Sequence, residues 1–124
     1  MTTTLYAAPL ALLFIAMTFN VVRLRYKYRV SLGTGGEPKL ERAIRAHGNF
    51  AEYVPFTLLL IGLCAFLGTP TALIHLFGAG LLAARLSHAY CLCVKYKPIL
   101  RQIGVIITLL ILATSALVAF YFTF

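Results

Sequence analysis

ERAIRAHGNFAEYVPFTLLLIGLCAFLG, residues 41–68, joins two kinds of sequence in one segment. The first half carries Glu41, Arg42, Arg45, His47, Asn49 and Glu52. From Tyr53 onward there is no Asp, Glu, Lys or Arg until Arg85. Residues 1–22 and 102–124 are equally free of charge. A helical membrane span needs roughly 20 apolar residues, so the chain holds material for several. Gly68-Thr69-Pro70 is a turn signal that divides the central run in two. Four helices are therefore expected, at about Thr4–Arg23, Glu41–Leu67, Pro70–Val94 and Pro98–Phe122. Pro70 and Pro98 both fall where a helix begins, a position that tolerates the missing N–H.

Composition agrees with this reading. Of 124 residues, 61% are hydrophobic and 11% charged, against about a quarter charged in soluble domains. The class this defines is an all-α integral membrane protein, a four-transmembrane-helix bundle formed by a single domain over residues 1–124. The first apolar segment has no basic stretch before it, so it reads as a retained span rather than a secretory signal. The net charge of +8 would suggest nucleic acid in a soluble chain, but the positions of the charges exclude that partner here. Seven of the 11 Lys and Arg lie between Arg23 and Arg45 and three between Lys95 and Arg101. By the positive-inside rule both termini face out and both basic connections face the cytoplasm. Cys64, Cys91 and Cys93 are an odd count without a C-x-x-C, which argues against a disulfide framework. Gly33-Thr34-Gly35-Gly36 lacks the preceding strand and the following Gly-Lys-Ser/Thr of a phosphate loop, so it reads as a turn.

At about 100° per residue, Arg42, Arg45, Asn49 and Glu52 fall within roughly an 80° arc of one helix, while Glu41 and His47 are expected to point elsewhere. Gly48 leaves room beside Asn49 for a neighbour or a ligand. Arg85 and His88 share a face of the third helix, Arg23 ends the first and Arg101 opens the fourth. Lipid-facing charge is costly, so these groups should turn inward or toward another subunit, which makes oligomerisation an expectation. One account is internal glue, with Arg45 and Glu52 paired through Asn49. The other is a ligand site. Five guanidinium groups against one nearby intramembrane acid, Glu52, cannot satisfy each other, whereas a small, multiply charged ligand with carboxylates and an amine would satisfy them.

The pattern R-x-x-R-x-x-x-N-x-x-E before an apolar span, with VVRLR ahead of it and ARLSHAY and PILR after it, resembles the MAPEG superfamily, membrane-associated proteins in eicosanoid and glutathione metabolism, and within it the short bacterial branch. The resemblance implies a homotrimer in the bacterial inner membrane, with the cofactor glutathione bound between adjacent subunits near the cytoplasmic face. It implies glutathione contacts at Asn49, Glu52, Arg23, Arg85 and His88, with Arg45 and Arg42 ranked below them, and a catalytic arginine at Arg101. Gly48, Leu92 and Gln102 stand where the prostaglandin-forming branch has arginine, tyrosine and serine, which argues against prostaglandin E synthase activity. Tyr90 is the candidate replacement for the missing phenol, although it points about 200° away from His88 around the helix. No metal site is expected. The implied activity is a glutathione transferase or peroxidase acting on a lipophilic substrate from the bilayer. The alternative is a non-catalytic trimeric protein that binds membrane lipid or serves as a scaffold. A proton-coupled exporter ranks below both, because its carboxylate belongs near mid-span and Glu52 lies at the cytoplasmic end beside arginines.

Overall fold

The computed structural model describes residues 1–124 as four helices and their connections. They are α1 (Thr4–Tyr28), α2 (Pro38–Phe66), α3 (Thr71–Cys93) and α4 (Pro98–Thr123). Each is long and apolar enough to cross a membrane.

The boundaries depart from the sequence expectation chiefly at the basic end. α1 continues five residues past Arg23, and α2 begins three residues before Glu41, with Pro38 in its first turn. These extra turns pack on each other: Leu24 of α1 is buried against Leu40 and Ala43 of α2, with Val21, Tyr28 and Val30 around them. Apolar contact thus extends helices beyond the charge-free stretches that marked them in the sequence. At the other turn, Pro70 is the residue before α3 rather than its first member.

α2 and α3 each touch the other three helices, whereas α1 and α4 do not touch. The main core runs along the α2–α3 seam, from Ala46 and Phe50 through Val54 and Ile61 to Ile74, Phe77 and Leu81, closed by Leu10 and Met17 of α1 and Ile111 of α4. At the end away from the basic connections, the Tyr6 hydroxyl and His75 Nδ1 are hydrogen-bonded at 2.6 Å, joining α1 to α3. The Cys64 thiol donates to the Ser115 carbonyl at 3.2 Å and the Cys91 thiol to the Lys97 carbonyl at 2.8 Å. All three cysteines are free.

Candidate functional site

The polar groups that the sequence puts at one level lie on two tiers. The deeper tier centres on Arg85, whose side chain is 1% exposed. It stands eight residues before the end of α3, about 12 Å along the axis. Its Nη1 donates to Asn49 Oδ1 at 2.6 Å and its Nη2 to the Gly104 carbonyl at 3.0 Å. Thr108 Oγ1 donates to the same carbonyl at 2.8 Å. Three helices are therefore tied through one guanidinium. Its partners are an amide and a carbonyl oxygen, neither charged, and its Nε is buried without a partner. Asn49 is bonded to Arg85 of α3 and not to Arg45 or Glu52 of its own helix, which are both exposed and unpaired, so the expected Arg45–Glu52 pairing through Asn49 is not formed.

Gly104 is what lets this tier close. A Cβ there would stand 3.0 Å from the Ala84 carbonyl oxygen and 3.1 Å from His88 Cβ. His88 is buried in this α3–α4 contact. The sequence reading passed over Gly104. Its only local signal is a glycine three residues after Arg101 in a helix of bulky apolar residues.

The shallower tier is an open groove of about 360 Å³ lined by Pro38, Glu41, Arg42, Arg45, Leu92, Tyr96 and Arg101. Three guanidinium groups face one carboxylate here. Arg42 lies over the Tyr96 ring at 5.5 Å from its centroid, a cation–π contact. Glu41 is in this groove, contrary to the expectation that it points elsewhere: it sits only about 20° beyond the polar arc, and the early start of α2 makes it a full member of the helix. Leu92, where the phenol is missing, forms part of the lining. Arg101 occupies the first turn of α4, at the positive end of its helix dipole.

Three of the expected residues lie elsewhere. Arg23 is exposed and donates to Asn20 within α1 at 2.9 Å, and α1 does not reach α4. Tyr90 is half-exposed and lines an apolar groove with Leu13, Met17 and Asn20 on the α1 side of α3, whereas His88 faces α4. Glu52 is exposed on the outer surface of the subunit, within the span. Gly48, four residues before it, has open space where a Cβ would be. His47 is stacked on Phe14 and hydrogen-bonded to Thr18 at 3.0 Å, so it braces α2 on α1.

The four spans with a cationic, arginine-built end define an integral membrane protein, and comparison with known sequences makes this specific. Residues 3–121 match the MAPEG family, and the chain belongs to it. It is 46% identical over 90 residues to the inner membrane protein YecN of Escherichia coli strain K12, a stretch covering 73% of this chain and 69% of that one. The YecN of Escherichia coli O6:H1 strain CFT073 is similar to the same extent.

Proposed function

We propose that this protein is a membrane-bound glutathione-dependent transferase or peroxidase, working as a homotrimer in the inner membrane with its site on the cytoplasmic side. The observation that carries this reading is the meeting of Arg42, Arg45 and Arg101 in one groove, with Arg101 in the first turn of α4. A ligand with two carboxylates and one ammonium fits the donors present. Arg42 and Arg45 suit carboxylates, which a guanidinium grips through two parallel hydrogen bonds. Asn49 has its oxygen engaged by Arg85, which leaves its amide N–H groups to donate. Glu52 is the natural receiver of an ammonium. Its exposed charge within a span is costly in lipid, so its partner comes from outside the subunit. That supports assembly with other copies, in which Glu52 and Arg23 of one subunit complete the groove of another.

Bound in this groove, glutathione would supply a thiol, the nucleophile needed toward a lipophilic electrophile or hydroperoxide from the bilayer. A free thiol has a pKa of about 8.5 and is mostly protonated at neutral pH. The Arg101 guanidinium and the helix dipole behind it would both stabilise negative charge on a thiol held in the groove. Each unit by which they lower the pKa corresponds to about 1.4 kcal/mol. Leu92 and Tyr96 give the groove its apolar lining.

A second reading, a non-catalytic lipid-binding protein, draws on an apolar groove of about 270 Å³ between α1 and α2, lined by Leu10, Phe14, Phe50, Val54 and Leu58 among others. Native mass spectrometry with added glutathione separates the two. Trimers carrying glutathione are the expected result. A monomer that binds no thiol sinks the enzyme reading, and a trimer that retains lipid but no thiol favours the second.

A further inference from the structure

A second cationic groove lies at the C-terminal end of α1 and shares no lining residue with the arginine groove. Its volume is about 410 Å³ and its lining is Val22, Arg25, Tyr26, Arg29, Val30 and Ser31. Two features set it apart from an ordinary charged turn. First, its wall is held in place: Arg25 Nη1 donates to the Gly33 carbonyl at 2.9 Å and to those of Val30 and Ser31 at 3.4 Å, folding the chain after α1 back against the helix. Second, Arg29 caps α1 in the left-handed conformation, φ 56°. Glycine is the usual residue there, and a side chain in that region costs roughly 1–2 kcal/mol. The chain carries glycine at 33, 35 and 36 but arginine at the cap. The Arg29 side chain is exposed and donates no hydrogen bond within the subunit, so nothing inside the subunit accounts for arginine at that place.

We infer that this groove is a binding site for one anionic glycerophospholipid per subunit. Arg29 and the unused donors of Arg25 hold the phosphodiester, Ser31 supports it, and Tyr26 lies at headgroup level, where amphipathic rings collect. Val22, one turn deeper on α1 and partly exposed, continues the groove toward the bilayer along the path of an acyl chain. Apolar and aromatic walls beneath two guanidinium groups match a phosphate attached to hydrocarbon, whereas a free ion would leave the apolar part unused. The site does not depend on the thiol reading.

The test is native mass spectrometry of the full chain from micelles holding equal phosphatidylglycerol and phosphatidylcholine with the same acyl chains. The wild type is expected to retain phosphatidylglycerol about tenfold over phosphatidylcholine, because both offer the phosphodiester but the choline ammonium cancels the lipid's net charge and sets a cation beside Arg25 and Arg29. Arg29→Gly should bring the ratio near one without lowering the unfolding midpoint, because it also relieves the left-handed cap. Arg29→Gln should lose the preference too, and it serves if the glycine variant does not fold. Lys95→Gln, on the other basic connection, should leave the preference unchanged. Equal retention of both lipids by the wild type, or equal loss in Arg29→Gln and Lys95→Gln, overturns the site in favour of diffuse surface charge. Release of the lipid by inorganic phosphate at about ten millimolar, a level that only screens surface charge weakly, overturns it in favour of a free phosphate ion.

Discussion

Gly104→Ala probes the closest approach of α3 and α4. The added Cβ would meet the Ala84 carbonyl oxygen at 3.0 Å and His88 Cβ at 3.1 Å. Carbon–oxygen contacts ordinarily begin near about 3.3 Å and carbon–carbon contacts near about 3.5 Å. The oxygen belongs to a helix backbone and cannot swing aside, so α4 must move by a few tenths of an ångström. Two effects then oppose each other. Alanine gains about 1 kcal/mol over glycine in helix propensity, while overpacking a tight contact costs about 1–3 kcal/mol. The net expectation is a loss of about 0–2 kcal/mol. The movement also stretches the 3.0 Å bond from Arg85 to the Gly104 carbonyl, which pushes the result toward the larger loss. Gly62→Ala is the reference, since nothing lies within 4 Å of a Cβ there and the propensity gain stands alone. Denaturant unfolding in detergent, followed by circular dichroism, should place Gly104→Ala below Gly62→Ala by about 1–3 kcal/mol. Equal stabilisation by the two substitutions would refute the contact and with it the packing that buries Arg85.

Other substitutions separate the two tiers and the outer surface. Arg101→Gln should lower thiol-dependent turnover by about 10²–10³, the usual effect of losing one donor to developing negative charge. Its fold should be unchanged because Arg101 is exposed, and full turnover with unaltered binding would remove it from the reaction. A double-mutant cycle of Asn49→Ala and Arg85→Met should give a coupling of about 1.5–3 kcal/mol, the value of a hydrogen bond to a charged group; strict additivity would show that the 2.6 Å bond contributes nothing. Glu52→Gln should weaken glutathione binding at least about tenfold while leaving helicity intact, measured by isothermal titration and circular dichroism. Unchanged affinity would exclude Glu52 as the ammonium partner.

Sequence alone determined the four spans, because a bilayer demands long apolar runs and nearly all the charges gather at one end of them, Arg85 being the one charge deep in an apolar run. It also identified the polar stripe of α2, since a helix repeats every 3.6 residues. The side chains' partners were not legible there. Asn49 and Glu52 sit three residues apart on one stripe, yet one is hydrogen-bonded to a buried arginine and the other is exposed on the subunit surface. Periodicity gives a direction from the helix axis and says nothing of which helix lies in that direction. Likewise Arg85 and Arg101 both read as arginines near the basic end. Only packing made the first a buried tie among three helices and left the second at an open groove, because the α3–α4 distance is fixed by the glycine between them.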